Sequence, residues 1–147
     1  MTYARPADRT GALRLHLNEN TGGCSPAVIE AIRRITAEEV AVYPDYAALS
    51  RECAAYLGVR EPQLLLTNGL DEGLLAATVT SFKVMQTVPG LPEAIVPQPA
   101  FEMPLVFVRA CGGRVVSVAP KPGFEFPVRE IQAALTPRTA IIFITSP

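Results

Sequence analysis

The sequence predicts an α/β fold in which short apolar strands alternate with amphipathic helices around a mostly parallel sheet. Short apolar runs typical of buried strands occur at residues 64–67, 94–96, 114–118 and 140–145. Helical patterns with glycine or proline near their ends separate these runs. Strands that alternate with helices form parallel sheets, because each helix carries the chain back across the sheet.

An arm and a helix are predicted to precede this alternating part. Residues 13–17 form a short extended segment, and the turn-rich residues 18–23 follow it. Ser25 as a cap and Pro26 at the first helical position indicate a helix start. We expect this helix to end near residues 36–39.

A second helix is predicted to begin at Asp45, which can cap it, and to stop at Gly58. The break between the two helices is the best candidate for a domain boundary. Further helices are expected at residues 70–82, 103–111 and 127–135.

Composition excludes several classes of partner. The chain has 147 residues, 49% of them hydrophobic, and a formal net charge of -1 with scattered basic residues. Without a stripe of lysine and arginine, nucleic acid is not an expected partner. No apolar stretch approaches the length that spans a bilayer, and charged residues occupy the N-terminus. The chain is therefore expected to be cytoplasmic, with no membrane partner.

Cysteine and histidine usage argues against a metal site and against a disulfide framework. The cysteines are Cys24, Cys53 and Cys111, an odd number without Cys-x-x-Cys spacing, and His16 is the single histidine. We expect the cysteines to be reduced and His16 to be a strand residue rather than a general base.

The sharpest local pattern is Thr67-Asn68-Gly69-Leu70-Asp71-Glu72, where a predicted strand passes into a helix through a glycine. The first turn of a helix leaves backbone N–H groups unpaired, and the helix dipole favours an anion there. The alternative is that Asp71 and Glu72 simply cap the helix. Neither a Walker loop nor a dinucleotide fingerprint is present.

Seven short motifs, taken in order, resemble the leading part of the class I/II aminotransferases, which have the fold type I large domain and bind pyridoxal 5'-phosphate. The histidinol-phosphate aminotransferases are the branch with the greatest likeness. The motifs are Leu17-Asn18-Glu19-Asn20, Ser25-Pro26, Tyr43-Pro44-Asp45, Tyr56-Leu57-Gly58-Val59, Asn68-Gly69-Leu70-Asp71-Glu72, Pro97-Gln98-Pro99-Ala100-Phe101 and Thr145-Ser146-Pro147.

The resemblance implies roles for five residues around the cofactor. The backbone N–H groups of Gly69, Leu70 and Asp71 would bind its phosphate, although Leu70 stands where the family usually has a small or hydroxylated residue. Phe101 would stack on the pyridine ring, the alternative being an anchor in the helix core. Tyr43 would reach the partner subunit's cofactor phosphate in a homodimer, the alternative being an ordinary half-buried tyrosine.

The resemblance also implies a substrate arm and a domain organisation. Asn18, Glu19 and Asn20 correspond to an arm over the substrate pocket, while the alternative is a solvated turn. Residues 1–42 would be the arm and helix of the small domain, and residues 43–147 the first part of the cofactor-binding large domain. The substrates would be an amino acid and a 2-oxo acid.

Transamination requires a lysine that binds the cofactor covalently, and this chain has only Lys83 and Lys121. Neither lies in the sequence context that the family gives that lysine, so we expect no catalytic residue here and an inactive isolated chain. Two alternatives stay open. One is a non-catalytic α/β fragment or phosphate-binding module, and the other is a pyridoxal-phosphate lyase of the same superfamily.

Overall fold

The computed structural model describes Gly11 and residues 18–146. The chain divides into two compact units, the first ending at Glu61 and the second beginning at Pro62. The predicted extended segment 13–17, which includes His16, lies outside the described residues, as does Pro147. The domain boundary expected after residue 42 stays a prediction.

The described part of the first unit has three α-helices: α1 (Pro26–Arg33), α2 (Ala37–Ala41) and α3 (Ala47–Leu57). The predicted start of α1 is confirmed, because the Ser25 hydroxyl accepts the Ala27 N–H at 3.2 Å and Pro26 occupies the first turn.

The predicted end of α1 near residues 36–39 is wrong, because α1 stops at Arg33 and Thr36 begins a new helix. The Thr36 hydroxyl accepts the Glu39 N–H at 3.2 Å, and the Glu39 carboxylate accepts the Thr36 N–H at 2.8 Å. These reciprocal bonds form a capping box that satisfies two N–H groups without an intrahelical partner. A local pair of hydrogen bonds therefore divides one apolar pattern into two helices.

Both predicted ends of α3 agree with the structure. The Asp45 carboxylate accepts the Ala47 N–H at 2.9 Å, although Tyr46 occupies the cap position itself. Gly58 ends the helix with a φ of 67°, a left-handed conformation that glycine adopts without steric cost.

The second unit has a parallel three-stranded sheet with helices on its faces. Its elements are α4 (Gly69–Val84), β1 (Glu93–Pro97), α5 (Met103–Ala110), β2 (Arg114–Val118), α6 (Val128–Ala134) and β3 (Thr139–Ile142). The strand order is β2-β1-β3, and both pairings are parallel. The predicted α/β class is therefore confirmed.

Residues 64–67 do not form the predicted buried strand. The structure leaves them without regular secondary structure, and Leu65 is 70% exposed. An extended segment becomes a strand only by hydrogen bonding to a neighbour, and in the described structure β2 and β3 each pair with β1 but not with residues 64–67. The prediction was wrong because an apolar run indicates that a segment is suited to burial but does not show which strand it would pair with.

The core lies on both faces of β1, whose central residues Ala94, Ile95 and Val96 are fully buried. Alternate residues point to opposite faces of a strand. Ala94 and Val96 pack in one cluster with residues of α4 and α5, whereas Ile95 packs in a second cluster with Ile131 of α6. Helices therefore cover both faces of β1, as expected for a parallel strand.

A buried carboxylate joins the amino ends of the strands. Glu93, the first residue of β1, has no exposed surface. Three donors contact its carboxylate, namely the Arg114 guanidinium at 2.6 Å, the Thr136 hydroxyl at 2.8 Å and the Arg138 Nε at 2.6 Å. Burial alone would raise the pKa of this carboxyl, but these hydrogen bonds outweigh it and lower the pKa from 4.5 to about 2.

Glu93→Gln should lower the free energy of unfolding by about 1–3 kcal/mol, because a neutral amide accepts weaker hydrogen bonds from the two guanidinium groups. Urea unfolding at neutral pH measures the change. Glu130→Gln is the matched control, since its half-exposed carboxylate lies 3.5 Å from Lys121 and should matter by less than about 0.5 kcal/mol. A Glu93→Gln protein as stable as the parent contradicts the role of the cluster.

The same carboxylate should make stability depend on pH in the acid range. The pKa of Glu93 is lower in the folded protein, at about 2, than its ordinary value of 4.5. Its stabilising contribution is therefore complete above the ordinary value and is lost as the pH falls toward the folded value. The stability difference between the parent and Glu93→Gln should shrink over this range, and a difference independent of pH would argue against the assignment.

Gly113→Ala should destabilise the second unit by about 1–3 kcal/mol, because overpacking a filled core forces its neighbours to shift. A Cβ at Gly113 would lie 2.2 Å from a ring carbon of Phe82 and 3.1 Å from the carbonyl oxygen of Pro92. Gly73→Ala is the control, since its Cβ would meet only Thr67 side-chain atoms at 3.5 Å or more. Thermal unfolding compares the variants, and Phe82→Leu should partly rescue Gly113→Ala.

Candidate functional site

Helix α4 runs antiparallel to the strands, which decides where its first turn lies. Phe82, near its carboxyl end, lies beside Gly113 at the start of β2. With 16 residues the helix is about 24 Å long, so its first turn lies toward the edge where the strands end. Leu74 of α4 and Ala100, which follows β1, contact the same core cluster. This carboxyl edge is where parallel α/β sheets bind ligands.

The predicted turn at Gly69 is the first element of the candidate site. Gly69 has a φ of 75°, and no heavy atom lies within 4 Å of the position that a Cβ would take. Asn68 makes no side-chain capping hydrogen bond to the helix. Among the residues that the structure describes, no acceptor contacts the N–H groups of Leu70 and Asp71. The turn therefore has open space and two available donors.

Local hydrogen bonds use the remaining donors of the turn. The Gly69 N–H donates to the Thr67 carbonyl oxygen at 2.9 Å, and the Thr67 hydroxyl donates to the Gly69 carbonyl oxygen at 2.8 Å. The Asn68 N–H donates to the Glu72 carboxylate. Glu72 thus caps the helix as the alternative interpretation expected, while the amides of Leu70 and Asp71 stay free. Binding of an anion by this turn stays a prediction.

Phe101 lies immediately before α5, and its side chain is 47% exposed. It does not belong to either buried cluster, so its ring is accessible to a ligand. Because β1 ends at Pro97, Phe101 follows the same carboxyl edge that the first turn of α4 approaches. Its stacking role stays a prediction.

Gln98 is a polar residue at this edge to which the sequence pattern assigned no role. Its main-chain N–H donates to the Val118 carbonyl oxygen at 2.8 Å, which extends the pairing of β1 with β2 by one residue. Its side-chain Nε2 is buried and has no hydrogen-bond partner in the described structure. A missing partner is a property of the folded environment, so the sequence could not indicate it.

The site residues of the first unit are all exposed. Tyr43 is fully exposed. Asn18 and Glu19 are also exposed. Asn20 closes a local turn, in which its Nδ2 donates to the Gly23 carbonyl oxygen at 2.6 Å and its Oδ1 accepts the Gly22 N–H at 3.2 Å. The roles of these residues toward cofactor and substrate stay predictions.

The two lysines lie at opposite edges of the sheet, since Lys83 is near the amino ends of the strands and Lys121 follows the carboxyl end of β2. Lys83 is near the far end of α4, where it lines a cavity of about 520 Å³ together with Val88 and Cys111. Lys121 lies 3.5 Å from the Glu130 carboxylate. The expectation that neither residue is the covalent lysine stays a prediction.

The described residues contain no group of three or more histidine, cysteine, aspartate or glutamate side chains that could bind a metal ion. Cys24, Cys53 and Cys111 are free thiols. Within residues 18–146, no helix has both the length and the apolar character needed to cross a membrane.

Comparison with known proteins identifies relatives over nearly the whole chain. The family model described as aminotransferase class I and II matches residues 10–147. A histidinol-phosphate aminotransferase of Moorella thermoacetica is 32% identical over 137 residues, which cover 92% of this chain and 33% of that protein. One of Methanocella arvoryzae is 34% identical over 145 residues, which cover 95% of this chain and 37% of that protein.

The fold also matches a solved aminotransferase. The structure of N-succinyldiaminopimelate aminotransferase from Mycobacterium tuberculosis superposes with a TM-score of 0.64 at 27% identity, covering 80% of this chain and 33% of that one. The chain spans about a third of the length of the curated relatives that it matches end to end. On the family match and these relatives together, the chain belongs to the class I and II aminotransferases.

Proposed function

We propose that this chain provides the phosphate-binding turn and one face of the cofactor site of a pyridoxal-phosphate-dependent aminotransferase. The reaction is the transfer of an amino group between an amino acid and a 2-oxo acid. The observation that carries the proposal is the pair of unpaired N–H groups at Leu70 and Asp71, in the first turn of a helix at the ligand-binding edge of the sheet.

The residues of this turn fit a phosphate group. Two free N–H donors and the helix dipole, which is equivalent to roughly half a positive charge, favour an anion at this end. Gly69 has no side chain, so an anion can approach the backbone closely. The side chain of Leu70 carries no hydroxyl, and the contact is therefore made by main-chain atoms alone. The Glu72 carboxylate is engaged by the Asn68 N–H.

The other residues orient the cofactor and the substrate. Pyridoxal phosphate, when bound, supplies the electron sink that allows the amino group to be transferred. Phe101, whose ring is accessible, would cover the planar ring of the cofactor. Tyr43, whose side chain is fully exposed, would reach the partner subunit's site in a homodimer, and residues 18–20 would cover the substrate.

The substrate is proposed from the relatives that match along the chain, which bear the name histidinol-phosphate aminotransferase. A phosphorylated amino substrate is therefore the first to test. Because the fold is similar to that of N-succinyldiaminopimelate aminotransferase, other amino acids are the second set of substrates to test. A lyase reaction on phosphorylated amino acids is the remaining alternative.

A second candidate function applies to the isolated 147-residue chain, namely reversible binding of a phosphate ester without chemistry. The positions of the two lysines favour binding without chemistry. Lys83 lies at the opposite end of α4 from the turn, and Lys121 is paired with Glu130. Lys83 is about 20 Å along the helix from the amides of Leu70 and Asp71, and the Lys121 amine is engaged by a carboxylate.

After pyridoxal phosphate is added and unbound cofactor is removed by gel filtration, the complete gene product that carries this chain should keep a visible absorption band, and borohydride treatment should abolish the band and leave the cofactor covalently attached. The isolated chain should bind pyridoxal phosphate reversibly, in competition with inorganic phosphate, and borohydride should trap no adduct. Absorbance and equilibrium dialysis measure the two results. A complete protein that gives no band refutes the aminotransferase proposal, and an isolated chain that binds neither compound refutes the binding role of the turn.

Phe101→Leu should weaken binding of pyridoxal phosphate by about three- to tenfold, because it removes the stacked ring and keeps an apolar side chain. Phe101→Tyr is the matched control, since it retains the ring, and it should bind like the parent. Quenching of protein fluorescence on titration with the cofactor gives both affinities. Equal binding by the leucine variant would show that the ring does not contact the cofactor.

A further inference from the structure

Gln98 carries a buried donor without an acceptor. Its Nε2 atom is inaccessible to solvent, and no hydrogen-bond partner contacts it among the residues that the structure describes. Folded proteins satisfy nearly all buried polar side-chain atoms with protein groups, ordered water or a ligand. An amide donor left without any of these is costly, so an acceptor is expected to reach it in the functional protein.

The register of the sheet places Gln98 on the face that α4 and α5 cover. Ala94 and Val96 belong to the core cluster on this face, whereas Ile95 belongs to the cluster on the other. The hydrogen bond from the Gln98 N–H to the Val118 carbonyl oxygen keeps the chain in the sheet for one further residue. Alternation of side chains along a strand then assigns Gln98 to the face of Ala94 and Val96.

This position lies beyond the carboxyl end of β1, at the edge toward which the first turn of α4 points. The core cluster that contains Val96 also contacts Leu74, in the second turn of α4, and Ala100, which precedes Phe101. The Gln98 side chain, the free amides of Leu70 and Asp71 and the ring of Phe101 therefore share one edge of the sheet. The amides of Leu70 and Asp71 and the Nε2 of Gln98 are all donors that need an acceptor.

We propose that Gln98 is a further binding residue of this site, whose Nε2 donates a hydrogen bond to an oxygen atom of the bound pyridoxal phosphate. The inference rests on the proposed function, since it requires the cofactor to occupy the carboxyl edge of the sheet. The phosphate oxygens and the ring hydroxyl oxygen are the acceptors that we assign to this bond. The glutamine thus adds a side-chain donor at a site where Leu70 offers only its main chain.

Gln98→Met in the complete gene product separates this role from a structural one, because methionine keeps the length of the side chain and removes the donor. If the donor serves the cofactor, the dissociation constant for pyridoxal phosphate should rise about tenfold. The melting temperature of the cofactor-free protein should stay the same or rise, since an unsatisfied buried donor has been removed. Gln86→Met, at an exposed glutamine near the amino edge, is the control and should change neither value.

Each other result overturns the proposal. A lower melting temperature of the cofactor-free variant with unchanged cofactor affinity shows that Gln98 donates to another part of the protein. If neither the melting temperature nor the cofactor affinity changes, the Gln98 donor contributes neither to the stability of the cofactor-free protein nor to cofactor binding. If the methionine variant does not fold, Gln98→Glu decides, because a carboxylate without a donor should bind the cofactor still more weakly, and parent-like affinity would exclude the contact.

The parent protein distinguishes failure of this inference from failure of the proposed function. A parent that binds no pyridoxal phosphate overturns both, whereas equal binding by the parent and by the Gln98→Met variant overturns the role of Gln98 alone. Titration with inorganic phosphate as the second probe identifies the acceptor. Weaker binding of both probes by the variant assigns the bond to a phosphate oxygen, and weaker binding of the cofactor alone assigns it to the ring hydroxyl.

Discussion

The buried carboxylate of Glu93 is the interaction on which the geometry of the second unit depends. It joins the first residue of β1 to Arg114, the first residue of β2, and to Thr136 and Arg138 in the turn before β3. A carboxylate without exposed surface is stable only when charged and hydrogen-bonded partners surround it. The amino ends of the three strands are therefore held together, and parallel pairing brings their carboxyl ends to one common edge.

The common carboxyl edge of the strands is also the edge toward which helices α4 and α5 begin. Because α4 and α5 run antiparallel to the strands that they cover, the N-terminal turn of each lies toward the carboxyl edge of the sheet. Unpaired N–H groups are found at helix starts, and so the donors of Leu70 and Asp71 face the side on which β1 continues into Gln98 and Phe101. The unpaired amides of the turn thus lie toward the same edge as Gln98 and Phe101 because of the polarity of the sheet, although about thirty residues separate the turn from the other two in the sequence.

Local hydrogen bonding and missing partners explain where the sequence predictions went wrong. The apolar pattern of the first helix continued to Ile35, but the capping box of Thr36 and Glu39 starts a separate helix, since side-chain acceptors compete with the helical ladder. Residues 64–67 have the composition of a buried strand, yet a strand requires a neighbour, and in the described structure neither β2 nor β3 pairs with this segment. Periodicity indicates which secondary structure a segment prefers, whereas the pairing of strands depends on residues far away in the chain.

The sequence by itself determined the class of fold, most helix and strand positions of the second unit and the glycine turn at residue 69, because these depend on periodicity, on proline and glycine geometry and on short-range capping. It also determined the family, through motifs in a shared order. Only the structure decided which amides of the turn stay unpaired, that Glu93 is buried among arginines and that Gln98 has a donor without an acceptor. Burial and the satisfaction of hydrogen bonds are set by neighbours from distant segments, and no local pattern records them.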